Sequence, residues 1–418
     1  MNAEAFTSTS SAAPDSLVSE GQVLELLDQF SKTTYRARDK ERKHEIVERR
    51  CLHLFAKDYK YSVIHNGNGE LCNHYPTKLI LLEYELSNSD VYPTSVESLY
   101  DLAKMQELFT KARFARCRSR FVIPVLLYEG KQICRSSTLS AGAEIYGRSG
   151  LDYLFNTGGS GGGVGFSDVS YEEDSPTDEM LQTNQATSGD WQLMDRIRGQ
   201  DIKLLKLLSV GYVCDLMVEK KKVKFGMSVT SSEKADKEHR YSDFCLMSLP
   251  YPGCEFFKDY KDNKYVAEGL SFDWTQGFVD AELQIPGSCK LDSLGIDWTK
   301  YRKWDLVTIT SNYLKLFLHI LKEGDCGVLI HCISGWDRTP LYISLLRLSL
   351  WADGKMHKSL SPIEMLYLTI AYDWLLFGHN LIDRVGKGEE IFFFCFNFLK
   401  NISSRRVFAE AATPSATW

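Results

Sequence analysis

The sequence predicts an α/β fold in which a central, mainly parallel sheet is flanked by helices. Three observations predict it. From about residue 121 onward, short apolar strand-like runs alternate with helical ones, the order that stacks parallel strands in one sheet with helices on its faces. Gly327–His331 is a short apolar run of the kind found in a strand buried on both faces. Leu341–Leu350 is apolar on all sides, as a helix inside a large core is.

The elements follow in order. Residues 1–19 are rich in Ser and Ala, lack any period and read as disordered, without the basic-then-apolar pattern of a signal peptide. A helix begins near Gln22, where Val23, Leu24, Leu26, Leu27 and Phe30 form an apolar stripe. Arg36–Arg50 is heavily charged and reads as a solvated helix. Tyr61–Ile64 and Leu79–Tyr84 read as strands with Asn66-Gly67-Asn68-Gly69 as the turn between them, and Ser95–Arg113 as a further helix. Residues 20–114 thus form an N-terminal helix-and-strand region packed on a core domain of residues 115–403. In that domain, Phe121–Tyr128 and Gln132–Cys134 read as strands joined at Glu129-Gly130. Residues 156–190 break every period with Gly158-Gly159-Ser160-Gly161-Gly162-Gly163 and the acidic Glu172-Glu173-Asp174, and read as a flexible, linker-like insertion. No lysine follows the glycines, which excludes a nucleotide-phosphate loop. Ile202–Leu208 reads as helix, Tyr212–Val218 and Phe244–Leu249 as strands, and Trp304–Leu321 as a long amphipathic helix leading to Gly327–His331. Residues 404–418 read as a disordered tail.

Composition sets limits on function. Of 418 residues, 44% are hydrophobic and 25% charged, which is globular, and the net charge of −6 argues against a general nucleic-acid binder. No apolar run approaches the roughly 20 residues that span a bilayer. The 11 cysteines show neither disulfide-framework nor zinc spacing, so reduced thiols in the cytosol are expected.

The chemistry concentrates in Gly327-Val328-Leu329-Ile330-His331-Cys332-Ile333-Ser334-Gly335-Trp336-Asp337-Arg338-Thr339-Pro340, which holds the chain's Cys-x5-Arg. A strand that delivers Cys332, a tight loop and a helix starting near Thr339 turn successive N–H groups into one concave nest at a helix N-terminus, an anion site. A thiol must ionise to attack phosphorus, and amide donors, a helix dipole and a guanidinium all stabilise a sulfur anion. Gly335 permits the backbone a tight loop needs, and Arg338 can grip two phosphate oxygens in a fork that lysine cannot form. The reaction these residues fit is phosphoryl transfer to Cys332, protonation of the leaving alcohol by an acid, then hydrolysis of the thiophosphate. Thr339 is placed to donate to the sulfur, and His331 to support the loop through backbone contacts. Asp337 is the first candidate for the acid, with a loop-bracing hydrogen-bond acceptor as its alternative role. Glu255 and Asp259, beyond a Pro250-Tyr251-Pro252-Gly253 segment suited to a movable flap, are the alternatives, with a solvated surface carboxylate the expected state of Glu255. Cys326 and Cys254 are candidate partners for reversible oxidation of Cys332, with an inert buried thiol the expected state of each.

His331-Cys332 through Arg338-Thr339 with Gly335-Trp336-Asp337 between resembles the active-site loop of the myotubularin lipid phosphatases. Arg120-Phe121, Pro124-Val125, Arg135-Ser136, Trp304–Leu321 and Asp373-Trp374-Leu375-Leu376-Phe377-Gly378-His379 with Arg384 resemble further stretches of that family, over roughly residues 115–403. The resemblance implies a protein-tyrosine-phosphatase-like α/β fold acting on phosphatidylinositol 3-phosphate and the 3,5-bisphosphate. It implies Asp337 as general acid, a phosphate-binding loop of Ile333, Ser334, Gly335, Trp336, Asp337 and Arg338, and Arg384 at the headgroup phosphate. It implies no cofactor or metal, and a cytoplasmic protein that works peripherally on phosphoinositide membranes. Ser334 stands where typical members carry Asp, and Asn380 where a basic residue is usual. Lys220-Lys221-Lys222 and Lys224 are candidates to replace some headgroup-binding charge, or else a solvated basic face. The competing classes are a phosphotyrosine phosphatase and a phosphoinositide-binding scaffold without turnover.

Overall fold

The computed structural model describes residues 18–86, 98–141, 188–224, 227–236 and 238–405, with backbone alone at 188–191, 221–224, 227–231 and 403–405. Most of the expected disordered N-terminus, the insertion to residue 187 and the tail from residue 406 lie outside the described residues.

Helix α1 (Glu20–Lys32) opens with a capping box in which Ser19 and Gln22 satisfy each other's backbone N–H. Val18 just before it is 3% exposed, so the two last residues of the expected disordered segment are ordered. Helix α2 (Arg42–Ala56) corrects the expectation of a solvated helix. His44, Val47, Glu48, Cys51, Leu54 and Phe55 recur at helical spacing and are buried, so the charges cover only the outer face. Strands β1 (Tyr59–His65) and β2 (Lys78–Glu85) pair antiparallel. The Asn-Gly repeat between them is no tight turn. It starts a long connection in which the buried Asn66 amide binds the backbone of Leu71, Cys72, Tyr75 and Pro76. Helix α3 (Leu102–Ala112) is capped by Asp101 and starts later than the predicted Ser95, much of that stretch lying outside the described residues.

Strands β3 (Ile123–Tyr128) and β4 (Lys131–Ser137) form a hairpin whose two loop residues, Glu129 and Gly130, have φ of 48° and 76°, the mirror-image turn that matches strand twist. After the short β5 (Leu139–Ser140), helix α4 (Ser188–Leu207) takes up the last residues of the expected insertion. Strands β6 (Val210–Asp215), β7 (Lys221–Lys224), β8 (Met227–Ser231) and β9 (Cys245–Ser248) follow, then the short helix α5 (Phe257–Asp262). Helix α6 (Leu306–Glu323), N-capped by Asp305, leads to β10 (Gly327–Cys332) and α7 (Arg338–Ala352). The chain continues through α8 (Pro362–Leu368), a π-helical turn (Thr369–Leu375), α9 (Leu381–Lys387), α10 (Ile391–Asn397) and α11 (Leu399–Arg405), so the predicted tail starts two residues inside a helix.

Among the described residues the main sheet has five strands in the order β3-β4-β10-β6-β9. The pairs β4–β10, β10–β6 and β6–β9 are parallel and only β3 runs against them. Every residue of β10 is buried, as expected of the middle strand of a sheet covered on both faces. Helix α7 is buried continuously from Arg338 to Arg347, which accounts for its lack of a polar stripe. One contiguous apolar cluster runs from Val18 to Phe398. The N-terminal region therefore shares its core with the rest: Phe30 meets the rings of His379 and Phe392 at 6.0 and 5.3 Å.

Candidate active site

The middle strand ends at Cys332 and the next helix begins at Arg338, so the intervening loop sits at the carboxyl end of parallel strands, where α/β sheets place ligand crevices. Cys332 is 3% exposed, and its Sγ accepts the Gly335 N–H at 3.3 Å and the Thr339 hydroxyl at 3.2 Å. Gly335 has φ of +69°, and a Cβ there would lie 2.6 Å from the Ser136 carbonyl oxygen, so the position admits only glycine without a shift of β4. Arg338 is buried. Its Nη1 donates to the carbonyls of Leu216 at 2.8 Å and Tyr251 at 3.0 Å, which fixes the guanidinium plane. Burial opposes its charge, but the Cys332 sulfur and Glu219 outweigh that and hold its pKa above the ordinary value.

Beneath the loop lie two buried arginines. Arg120 Nη2 donates to the Gly335 carbonyl at 3.1 Å and to that of Phe377 at 2.8 Å. Arg135 donates to the same Gly335 oxygen at 2.9 Å and to the Asp373 carbonyl at 2.7 Å. Both guanidinium groups thus anchor the loop at Gly335, whose own N–H reaches the sulfur. Burial lowers both guanidinium pKa values, that of Arg135 to about 10.

His331 does more than brace the loop through its backbone. Its Nε2 lies 3.0 Å from Glu233 Oε2 and its Nδ1 3.9 Å from Asp215 Oδ1. Glu233 also pairs with Arg116 at 2.6 Å, and Arg116 with Asp201 at 2.7 Å. Burial would raise the Glu233 carboxyl, yet His331 and Arg116 hold it well below the usual carboxylate range.

At the mouth, Asp337 is gripped from two sides. Arg384 donates through Nε and Nη2 to its two oxygens, each at 3.0 Å, and His379 Nδ1 lies 3.1 Å from Oδ1. The same Nδ1 is 2.9 Å from the Trp336 carbonyl oxygen, and two acceptors require the proton to sit on Nδ1. Burial pushes the Asp337 carboxyl up, but His379 and Arg384 more than reverse it and hold it far below its ordinary value. Arg384 also pairs with Glu389 at 2.6 Å and Asp383 at 3.3 Å.

Glu255 and Asp259 are exposed, and the Glu255 carboxylate is close enough to Arg338 to help raise its guanidinium pKa. The first residues of the expected flap are packed into the core: Tyr251 is fully buried, its hydroxyl lies 2.8 Å from that of Thr310, and the Pro250 carbonyl accepts from Tyr313 at 2.9 Å. Lys220 is exposed, and the side chains of Lys221, Lys222 and Lys224 lie outside the described residues. Cys326 cannot trap Cys332. The extended strand between them separates the two by roughly 20 Å, whereas a disulfide needs Cα atoms within about 7 Å. Cys254 lies near Asp337, and burial followed by that charge pushes its thiol pKa up. Among the described residues no group of three or more His, Cys, Asp or Glu is arranged to hold a metal ion.

One residue at the loop mouth escaped the sequence reading. Arg118 Nη1 donates to the Ser334 hydroxyl at 2.6 Å, and its guanidinium carbon sits 4.8 Å above the Trp336 ring. Its signal was the alternation Arg116, Arg118, Arg120 just ahead of β3.

Residues 305–393 match the family model described as the myotubularin-like phosphatase domain. The chain is 57% identical over 385 residues to the phosphatidylinositol-3,5-bisphosphate 3-phosphatases MTMR14 of Mus musculus and of Homo sapiens, covering 91% of this chain and 57% of each relative. It thus spans a little over half the length of these relatives. A phosphoinositide 3-phosphatase of Saccharomyces cerevisiae is 35% identical over 86 residues, covering 18% of this chain and 12% of the yeast protein.

Proposed function

We propose that this chain is a myotubularin-like phosphatase that removes the 3-phosphate from phosphatidylinositol 3-phosphate and from the 3,5-bisphosphate. The observation that carries this reading is the sulfur of Cys332, seated at the end of the central strand under the Gly335 amide and the Thr339 hydroxyl, with Arg338 opening the next helix. The reading includes a protein-tyrosine-phosphatase-like arrangement of the α/β core and action from the cytosol on phosphoinositide membranes. No described helix is long and apolar enough to cross one.

In the first step the Cys332 sulfur attacks phosphorus while the bond to the inositol oxygen breaks, and that oxygen takes a proton. In the second, water attacks phosphorus, the S–P bond breaks and orthophosphate leaves. Arg338, its plane set by two carbonyls, spans two equatorial oxygens, and the loop amides meet the charge that gathers there. Asp337 donates the leaving-group proton. In the free enzyme it is held as a carboxylate by Arg384 and His379, so it must acquire a proton first. An anionic headgroup that draws on Arg384 weakens that grip and raises the proton affinity of Asp337, which ties acid catalysis to the arrival of substrate.

The test is a panel of short-chain phosphoinositide isomers plus a phosphotyrosyl peptide, with phosphate release and its position assigned. The 3-phosphorylated lipids are expected to be the best substrates by kcat/KM, and Cys332→Ser to abolish release while the protein unfolds at the same denaturant midpoint. Faster turnover of the peptide, or unchanged release by the Ser variant, would overturn the reading.

A further inference from the structure

We propose that Cys245 and Cys289 form a redox-active dithiol that a hydroperoxide closes to a disulfide, a modification site separate from Cys332. The inference does not rest on the phosphatase reading and stands or falls without it.

Two segments distant in the chain bring the thiols together. Cys245 opens β9, an edge strand of the main sheet. After a long excursion the chain returns along the free side of β9, where Ser248 and Gln284 exchange both backbone hydrogen bonds, at 2.8 and 2.9 Å. That bridge is antiparallel. Moving back along β9 toward Cys245 therefore moves forward along the returning segment, into the single 3-10 turn Gly287–Cys289. There the two sulfurs lie 3.7 Å apart, with the Ser288 hydroxyl 3.9 Å from the Cys245 sulfur. Both residues are held by their main chains. Cys245 stands opposite Tyr212 of β6. The Cys289 N–H donates to the Pro286 carbonyl at 3.1 Å, and the Cys289 carbonyl accepts from His319 Nε2 of α6 at 3.1 Å. Closing the pair to a bond of about 2.05 Å asks the two side chains for a combined shift of under ~2 Å.

The thiols differ as the members of such a pair must. Cys245 is half-buried and within reach of a small oxidant, whereas Cys289 is 6% exposed. Donation of the Cys289 S–H to its sulfur holds the Cys245 thiol pKa down to about 7 against the effect of burial. The same contact, followed by burial, pushes the Cys289 thiol up. A thiol with a pKa near the ambient pH is the best attacking group. Burial pushes the thiols of Cys51, Cys134, Cys214 and Cys395 up instead, so these stay protonated and inert at neutral pH.

With hydrogen peroxide the Cys245 thiolate attacks one oxygen. The S–O bond forms, the O–O bond breaks, and the departing oxygen takes a proton and leaves as water. The Cys289 sulfur then attacks the Cys245 sulfur. The S–S bond forms, the S–O bond breaks, and the leaving hydroxide takes the Cys289 proton as a second water. The two thiols together lose two electrons, which the peroxide gains. A dithiol reductant reverses the step by exchange.

The experiment uses the full chain, reduced, treated with a few equivalents of hydrogen peroxide, blocked with iodoacetamide and digested with trypsin without reduction. The expected product joins the peptide of residues 241–258 to that of residues 265–290. Fragmentation should place the bond on Cys245 rather than on Cys254 in the same peptide, and dithiothreitol should regenerate both thiols. In Cys289→Ser, Cys245 should persist as a sulfenic acid that dimedone traps, and in Cys245→Ser, Cys289 should remain a free thiol. Iodoacetamide at pH 7 should alkylate Cys245 of the untreated wild type at least roughly tenfold faster than Cys214. The wild-type measurements decide the matter even if a variant fails to fold. Cys245 and Cys289 both remaining reduced while Cys332 is oxidised would overturn the inference. So would a Cys245 carried to the sulfonic acid, or bonded to Cys254, with no bond to Cys289.

Discussion

Four arginines among the described residues are at most 1% exposed, and they fall into two kinds. Arg116 and Arg347 meet carboxylates: Arg116 pairs with Asp201 and Glu233, and Arg347 forms a two-pronged contact with Asp373 at 2.9 and 2.8 Å. Arg120 and Arg135 meet only main-chain carbonyls and aromatic faces, with Arg120 5.1 Å from the Tyr75 ring centre and Arg135 4.3 Å from that of Phe377. Among the described residues neither has a carboxylate partner. The first kind are closed ion pairs that hold elements together. The second kind place positive charge directly under the Cys332–Arg338 loop with no hydrogen bond to a side-chain carboxylate. A buried charge without such a partner is costly unless something else stabilises it, and under the proposed function the substrate phosphate does so.

The largest expected effect breaks a closed pair. Arg347→Met strands the buried Asp373 carboxylate and should cost about 3–5 kcal/mol of stability in a denaturant titration, while the protein that remains folded binds orthovanadate as tightly as before. Arg135→Met should behave in the opposite sense. It strands no carboxylate, and Gly335 keeps its bond from Arg120, so stability should fall by only about 1 kcal/mol. Orthovanadate affinity by calorimetry should nevertheless weaken about tenfold or more, since a charge facing the anion is lost. Equal stability losses in the two variants, with vanadate binding unmoved in both, would erase the distinction.

A pH-dependent effect concerns the closed pair at Asp337. Asp337 has a carboxyl pKa depressed by His379 and Arg384, so its stabilisation is complete above the unfolded carboxylate value of about 3.9 and is lost as pH falls toward the lower folded value. Asp337→Asn should therefore be less stable than wild type at pH 7 by about 1–2 kcal/mol, and the gap should close as the pH is lowered below about 4. A gap that widened in acid would mean that Asp337 is not held ionised.

What could be read beforehand was local. The Cys332–Arg338 loop was legible because strand, nucleophile, glycine, arginine and helix follow one another, and each states its role by residue type. The Glu129-Gly130 hairpin was legible for the same reason. The inner face of α2 was missed because a dense run of Arg, Lys and Glu hid a stripe made partly of His44 and Glu48, polar residues that are nonetheless buried. The segment Pro250–Glu255 was read from its Pro and Gly alone, and only the tertiary packing shows that Tyr251 within it belongs to the core. Arg118 and Arg120 could not be linked to the loop at all, since Ser334 and Gly335 lie more than 200 positions away in the chain.

By itself the sequence determined which groups meet at the end of the central strand: a sulfur, a glycine amide and a guanidinium from one short run, because a strand–loop–helix unit is built from neighbours in the chain. Only the tertiary structure decided which charges are cancelled and which are left open. Ion pairing depends on which carboxylate a distant segment brings within about 4 Å, and on how much water is excluded when it does, and neither quantity is written in any local pattern of residues.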